Sequence, residues 1–548
     1  MVIVAMPVPV PMPMPVPVPV RRMQSFTEMT FPMYVMSMDT FLQLKTMRPH
    51  PELLAEGSIF PWSPERGPVN LLSHQWLGIS HPDPECGQLR CIQAVFRNVL
   101  DGKMPFRRPQ DWELYSKTRN YAKAAGRDLA KLGENGLKLD LVETFSQEEF
   151  ISTIRNGCVW LDYAGVPQVG EKAQKVTKES RAQQQAAVDS IPAYVEASTN
   201  LWVVAPPLQH ADLNVECNFE TWRTRGWCRV EDWVNEFNVN ARRPLVVEGP
   251  MDVWVDDFTL KLTSRAQRQH SALNGQFTCC RMQHEANGAP FPCDKPRVRH
   301  VISNTLEGKL ADLKAKGDLV HYAWFLCLKP ALLAETGAEG PLAIPKDRDL
   351  SAFLQRYCWK ADIEGKDVPS QPVFFPLFCA ATEGNLEAVK WLVEAKADVS
   401  RRLMGVGTNS LEGACISGHL EVCQHLLAQR AELHGSSLLD GNMPVHKAAS
   451  GGSSAVLQML LSQRAEVDAC RKDGRTALSC ASGEGNEACV RLLVEARADT
   501  AATDDQGSTA LILAKLSTNI VCIAVLEEAA RARVIFFNNL FLVSKKEG

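Results

Sequence analysis

Long apolar runs are missing from this chain of 548 residues. A membrane-spanning helix needs roughly 18 to 20 consecutive apolar residues, so we expect no membrane span. A strong excess of one charge is missing too, because 59 Lys and Arg stand against 63 Asp and Glu, a formal net charge of −4. Since no basic stripe with interleaved aromatics is present either, we expect no nucleic-acid partner.

Several motifs of enzyme chemistry are also missing. The chain has no Gly-x-Ser-x-Gly elbow, no Gly-rich phosphate loop and no kinase motif set. Cys279, Cys280, His284 and Cys293 are residue types that bind zinc, but their spacing matches no familiar zinc pattern. We therefore expect no metal and no resident cofactor.

Cysteine usage argues against a disulfide scaffold. The 17 cysteines are an odd number in a long chain. Seven of them lie in a repeated C-terminal region, where they suit packing as small apolar residues: Cys379, Cys415, Cys423, Cys470, Cys480, Cys489 and Cys522. This usage is typical of a reducing compartment, and we predict a cytoplasmic, intracellular protein.

The N-terminal end differs in composition from the rest. Residues 6–20 alternate proline with Val or Met, and proline at every second position forbids the apolar helix of a signal peptide. We predict an extended polyproline-II tail over residues 1–20, either a ligand for an aromatic groove or a solvated tail. Residues 21–66 form a lead segment that either covers the next domain or is loosely ordered.

A tandem repeat occupies the C-terminal part. Leu or Val returns at intervals of 34, 34, 33 and 33 residues, and alanine follows each of them three residues later. The positions are Leu377, Leu411, Val445, Leu478 and Leu511, with Ala380, Ala414, Ala448, Ala481 and Ala514. This pattern resembles ankyrin repeats. The resemblance implies an all-α solenoid of about five repeats over residues 372–530, with a connector at 336–371 and a C-terminal cap or tail at 531–548.

Stacked repeats bury a shared core and leave an extended surface, so we expect a protein partner to bind the concave face and turn tips. Two departures predict a slightly irregular array. The second repeat reads Asn409-Ser410-Leu411-Glu412 in place of Thr-Pro-Leu-His, and positively charged residues replace the glycine that ends each ankyrin helix pair. Those residues are Lys396, Arg430, Arg464 and Arg497. Glycines are expected to reverse the chain inside each repeat with positive φ, namely Gly384, Gly418, Gly451 and Gly485.

Residues 67–335 alternate between strand and helix patterns. Apolar runs at 69–74, 158–162, 200–205 and 244–247 predict strands, and amphipathic stretches at 86–100, 179–197 and 227–237 predict helices. The polar residues 101–150 are typical of an insertion. Strands separated by helices predict a parallel sheet covered on both faces, with ligands bound beyond the carboxyl ends of the strands.

Three short blocks follow the predicted strands. They are Leu72-Ser73-His74-Gln75-Trp76, the run from Val159 to Gln168, and Arg225-Gly226-Trp227-Cys228-Arg229-Val230-Glu231. These blocks resemble those of fungal heterokaryon-incompatibility (HET) domains, and their order is similar to Toll/interleukin-receptor (TIR) domains. The resemblance covers about residues 67–250. It implies a TIR/flavodoxin-like α/β fold and allows self-association through that domain.

Trp227-Cys228-x-x-Glu231 matches the tryptophan-cysteine-x-x-glutamate block of TIR domains. In TIR domains that cleave NAD the matching glutamate contacts the nicotinamide ribose, so the resemblance implies Glu231 as a catalytic candidate and NAD as a substrate. Arg225 and Arg229 are expected to keep this carboxylate ionised. The alternative is an ordinary first-turn glutamate that favours the helix dipole.

Asp162, at the end of the second strand, is the other catalytic candidate, with capping of the next turn as its alternative role. For the two histidines among the ligand-binding candidates, the alternative is a structural hydrogen-bonded role. The ligand-binding candidates are Ser73, His74, Trp76, His81, Asp83, Tyr163, Arg225 and Trp227.

Three hypotheses remain at this point. The leading one is a signalling or scaffolding protein whose repeats recruit a partner. The second is an NAD-hydrolysing enzyme that uses the repeats for targeting, and the third is an inactive scaffold that assembles through its TIR-like domain. Convergence of the strand-end residues on one site would favour the enzyme.

Overall fold

The computed structural model describes most of the chain from residue 29 onward. The described ranges are 29–78, 81–116, 145–168, 177–212, 215–238, 242–256, 271–275, 277, 285–286, 289–290, 293–333, 346–359, 374–403, 407–437, 440–516, 519 and 521–531. The Pro-rich tail, Cys279, Cys280, His284 and residues 532–548 lie outside them, and so do the predictions made for those residues. No helix in the described ranges is long and apolar enough to cross a bilayer.

The N-terminal part is built on a mixed sheet. Its strands are β1 (Tyr34–Ser37), β2 (Phe60–Pro61), β3 (Val69–His74), β4 (Cys158–Leu161) and β5 (Asn200–Val204), then, after the small hairpin β6 (Leu208–Gln209) and β7 (Glu216–Cys217), β8 (Leu245–Gly249) and β9 (Asp252–Val255). The order across the sheet is β2-β1-β4-β3-β5-β8-β9. The four central strands are parallel. A second small hairpin pairs β10 (Glu285–Ala286) with β11 (Ala289–Pro290).

The helices of this part pack on both faces of the sheet, except the last of them, which packs against the array. They are α1 (Met38–Gln43), α2 (His50–Ala55), α3 (Gly87–Leu100), α4 (Pro109–Ser116), α5 (Gln147–Arg155), α6 (Asp162–Gly165), α7 (Lys178–Asp189), α8 (Ile191–Ala197), α9 (Phe219–Trp222), α10 (Gly226–Phe237), α11 (Lys295–Lys316), α12 (Leu319–Leu332) and α13 (Leu350–Arg356). Alternate residues of one strand enter different cores. Leu71 and Trp160 pack with α7, α8 and α10–α12, whereas Leu72 and Val159 pack with α1–α5. Since both faces are covered, β3, β4 and β5 consist of buried residues throughout.

Several predictions need correction. The sheet is not wholly parallel, because β1, β2 and β9 pair antiparallel with their neighbours. It also begins at Tyr34, inside the lead segment, and not at residue 67. The helix predicted over 179–197 divides into α7 and α8 at Ser190, because Pro192 cannot continue the hydrogen bonds of α7.

The C-terminal part is a stack of helix pairs. Its helices are α14 (Pro376–Glu383), α15 (Leu386–Glu394), α16 (Ser410–Ser417), α17 (Leu420–Ala428), α18 (Pro444–Gly451), α19 (Ser454–Ser462), α20 (Ala477–Glu484), α21 (Glu487–Glu495) and α22 (Ala510–Leu516), and residues 521–531 are also helical. The five repeated Leu and Val residues all lie in the first helix of a pair. The predicted core alanines, Ala380 to Ala514, are fully buried.

A residue with left-handed backbone conformation follows the second helix of each of the first four pairs. Lys396, Arg430, Arg464 and Arg497 have φ between 66° and 69°, so they adopt the conformation that glycine usually supplies. Among the reversing glycines, one prediction is wrong: Gly452, with φ 74°, makes the turn in the third repeat, and Gly451 is the last residue of α18. Two adjacent glycines left the choice open, and the helix continues one residue further.

The two parts are packed together. α12 lies against α14, and the predicted connector contributes α13, which lies against α15. Phe353, Tyr357 and Trp359 of this segment are buried in the same apolar core as the first repeat. Residues 346–359 are therefore a packed element and not only a link.

Candidate functional site

The candidate site lies where two neighbouring parallel strands end. Leu72 of β3 is paired with Leu161 of β4, so the residues that follow them, Ser73 and Asp162, lie at the same edge of the sheet. β3 ends at His74, and Asp162 starts the short helix α6. This edge, beyond the carboxyl ends of parallel strands, is where open α/β sheets bind ligands.

His74 and Asp162 form an ion pair at this edge. His74 Nε2 lies 2.9 Å from Asp162 Oδ1, and His74 Nδ1 lies 3.0 Å from Gln88 Oε1 on α3. Trp76 Nε1 donates to Asp162 Oδ2 at 3.0 Å. The Asp162 side chain is 33% exposed whereas that of His74 is buried, so the carboxylate is the group that faces solvent.

Ser73 and Glu231 form a second pair directly beside the first. The Ser73 hydroxyl donates to Glu231 Oε2, and it accepts a hydrogen bond of 3.0 Å from Trp222 Nε1. Glu231 lies on α10, which packs against the sheet, and all three side chains are buried. The pair therefore joins the end of β3 to α10 through a polar contact inside the protein.

The two pairs differ in charge. Burial lowers the pKa of His74, but the negative charge of Asp162 and its hydrogen bond outweigh burial and raise that pKa to about 9. Burial raises the pKa of Asp162, yet His74 lowers it more, so this pKa is below its usual value. Burial raises the pKa of Glu231 to about 8 against the hydrogen bond from Ser73. At neutral pH the site thus contains an imidazolium, a carboxylate and a protonated carboxyl group.

An aromatic wall adjoins the His74–Asp162 pair. The Tyr163 ring meets the Trp76 ring edge-on at 5.7 Å and the His81 ring at 5.4 Å. His81 Nε2 also lies 3.1 Å from the carbonyl oxygen of Met47. Trp76, Tyr163 and His81 therefore belong to the same region of the molecule as Asp162.

Three predicted site residues have other contacts. Asp83 accepts backbone N–H bonds of 2.8 Å from Gly87 and Leu89, and so caps the start of α3. Trp227 Nε1 donates to Asp294 at 3.4 Å, at the start of α11. Arg225 immediately precedes α10, and its charge acts on the buried thiol of Cys228.

The expectation that arginines keep Glu231 ionised is wrong. Arg229 Nε donates to the carbonyl oxygen of Arg223 at 2.7 Å, and its Nη1 donates to that of Ser271 at 3.2 Å. Burial dominates at Glu231, whose pKa rises instead of falling. Closeness in sequence was the only basis for the expectation, and the Arg229 guanidinium is held by backbone carbonyl groups instead.

Two contributing residues were not predicted. Trp222 positions the Ser73 hydroxyl, and Gln88 fixes the other nitrogen of His74. A buried tryptophan N–H needs a hydrogen-bond acceptor, and this requirement is the signal that could have pointed to Trp222. Nothing local pointed to Gln88. Within the described residues, no group of three or more His, Cys, Asp or Glu side chains is arranged to hold a metal ion.

Comparison with known families identifies the C-terminal part. A model of ankyrin repeats (3 copies) matches residues 445–533, one of ankyrin repeats (many copies) matches residues 411–461, and one of the single ankyrin repeat matches residues 374–402. The predicted ankyrin array is thereby confirmed, and ankyrin repeats indicate protein–protein interaction. These matches do not extend to the α/β part, and a comparison with curated proteins gives no match.

Proposed function

We propose that this chain is a signalling or scaffolding protein whose ankyrin array captures a protein partner while the α/β domain is held at a fixed position beside it. The observation that carries the proposal is the continuous stack of helix pairs from α14 to residues 521–531. Such a stack supplies an extended surface that a compact domain of the same size lacks.

The turn tips support this role. Asp398, Glu432 and Lys472 lie at successive tips and are exposed, so a partner can contact several repeats at once. None of the fifteen described cysteines forms a disulfide, which fits the intracellular setting that we propose. A cytoplasmic location is part of the proposal.

The test uses the full chain as bait for partner capture. Partners retained by the wild type are identified and then compared with a tip variant, Glu466→Lys with Lys472→Glu. Both residues are exposed and lie in the segment after α19. The matched control is Glu421→Lys with Arg491→Glu, which makes the same charge changes on exposed second helices. Loss of a partner with the tip variant alone supports binding through the tips; equal retention by both variants contradicts it.

A second candidate function is hydrolysis of NAD by an α/β domain that resembles HET and TIR domains. The order of the central strands, with β3 between β4 and β5 and then β8, follows the flavodoxin-like order 2-1-3-4. The Ser73–Glu231 and His74–Asp162 pairs adjoin at its strand ends. Water would replace nicotinamide on the ribose carbon, and an ionised Glu231 would stabilise the positive ribosyl group.

Nicotinamide release by the full chain tests this second function. We expect Glu231→Gln to abolish release, and the control Glu236→Gln, on the same helix and also buried, to retain it. Because Glu231 is protonated at neutral pH, release is expected to increase as pH rises through about 8. Absence of release at high protein concentration, or equal release by both variants, excludes the enzyme.

A further inference from the structure

Arg402 connects three segments of the array. Its Nη1 donates to Glu412 Oε1 at 3.1 Å and to the carbonyl oxygen of Gly407 at 2.8 Å. Its Nη2 donates to Glu432 Oε2 at 3.0 Å. Glu412 lies in α16, Gly407 in the turn before it and Glu432 in the turn after α17. We call these four residues the Arg402 clasp.

The clasp holds a small hairpin at one turn tip. Arg402 and Asn409 form an antiparallel bridge, and Leu403 N–H donates to the Thr408 carbonyl oxygen at 2.8 Å. Gly407 N–H donates to the Leu403 carbonyl oxygen at 2.9 Å. These bonds order the described residues 402–403 and 407–409. Asn409 joins one strand of the hairpin to α16 by accepting from the Glu412 N–H at 2.9 Å, and the Arg402 side chain ties the other strand to the same helix.

Glu412 is the buried carboxyl group of the clasp. It is fully buried, and its Oε2 atom finds no hydrogen-bond partner among the described residues. The charged groups that face it are Lys447 from α18, Arg402 from the hairpin and Asp440 from the turn before α18. Phe378 and Thr382, which α14 places next to the adjacent Gly413, carry no charge. Burial raises the pKa of Glu412 to about 7, although Lys447 and Arg402 oppose that rise.

We propose that Glu412 is a proton-operated latch that orders the hairpin of residues 402–403 and 407–409. The ionised carboxylate holds Arg402 against α16. The protonated acid is a poor partner for a guanidinium, so Arg402 keeps the Gly407 carbonyl oxygen, inside the hairpin, and Glu432, whose side chain is 55% exposed and pairs weakly in water. Acidification through neutrality therefore loosens residues 402–403 and 407–409 while the helices stay folded. Weaker partner capture at low pH is a consequence that rests on the proposed scaffold function, whereas the latch itself does not rest on that function.

Hydrogen exchange of the full chain between pH 5.5 and 8.5 tests the latch, after correction for the intrinsic pH dependence of exchange. We expect protection of the Leu403 and Gly407 amides to fall about tenfold toward pH 5.5 in the wild type. In the Glu412→Gln variant, protection of the Leu403 and Gly407 amides is expected to be low at every pH. Glu432→Gln removes the other carboxylate bound to Arg402, and it is expected to keep the wild-type pH profile.

The amides of α16 serve as the folding control, and Arg402→Lys is a second variant that leaves Glu412 in place. This variant is expected to lower hairpin protection at pH 8.5 without loss of protection in α16. The latch is refuted if wild-type hairpin protection does not change with pH, or if Glu412→Gln reproduces the wild-type profile.

Discussion

Arg356 Nη2 lies 2.9 Å from Glu383 Oε1, and this ion pair joins the helix that precedes the array to the first helix of the array. The Tyr357 hydroxyl donates to the other oxygen of Glu383 at 2.8 Å. α12 and α13 lie against α14 and α15 in the way that each helix pair of the array lies against the next. The α/β part thus supplies a capping unit for a solenoid that would otherwise expose its first repeat.

The first prediction concerns this junction. Burial raises the pKa of Glu383 while Arg356 lowers it, so removal of the guanidinium leaves a buried carboxyl group without its charge partner. We expect Arg356→Met to lower the free energy of unfolding by about 3–5 kcal/mol, measured by urea denaturation. The control Arg348→Met removes an arginine that is 82% exposed, and should change stability little. A second change, Glu383→Gln, is expected to restore part of the loss, because Asp347, which Arg356 also binds at 2.7 Å, stays without the guanidinium. A double variant no more stable than Arg356→Met would show that Glu383 is not a source of the loss.

The second prediction concerns the left-handed residues. Arg464 has φ 69° and ends the third repeat, where a side chain costs about 1–2 kcal/mol relative to glycine. Arg464→Gly is therefore expected to raise the unfolding free energy by about 1 kcal/mol, less any helix-dipole contribution that the arginine makes. Gly384→Ala is the matched opposite change, because Gly384 has φ 84° and an added Cβ would lie 2.3 Å from His419 Nδ1. Equal thermal shifts for the two variants would contradict the backbone argument.

The extent of prediction from sequence differs between local and distant features. Val69–His74 was predicted as a strand with the bounds that it has, because a continuous apolar run between turns is a local signal. Whether Ser73 and Glu231 lie near each other stayed an open question in the sequence, since 158 residues separate them. The strand Tyr34–Ser37 is four residues long and gains its place by pairing with β2 and β4, so no local pattern marked it.

The third prediction concerns alkaline stability. The pKa of Glu231 is about 8 in the folded protein against an ordinary 4.5, and that of His74 is about 9 against 6.5. Both are raised, so their stabilisation is complete below the ordinary values and is lost as pH rises through 8 and 9. We expect the unfolding free energy of the α/β part to fall by a few kcal/mol between pH 6.5 and 9.5.

Denaturant unfolding of the α/β part, followed by fluorescence at each pH, measures this fall. Glu231→Gln should make the profile flatter, because glutamine keeps a polar contact with Ser73 and cannot ionise. A wild-type curve that is flat over this range would mean that neither group keeps its proton in the way that burial and pairing imply.

The last prediction concerns the residue that raises the pKa of His74 and so keeps its ring positively charged. Burial alone lowers the pKa of a histidine, and the value of about 9 therefore depends on Asp162, whose Oδ1 lies 2.9 Å from Nε2. Asp162→Asn keeps the shape but removes the negative charge, so the pKa of His74 is expected to fall below 6.5, as measured by NMR titration of its ring protons. His81→Gln removes the neighbouring ring and should leave that titration in place. If His74 still titrates near 9 in Asp162→Asn, the charge must come from Glu231, and the protonated state assigned to Glu231 at neutral pH would be wrong.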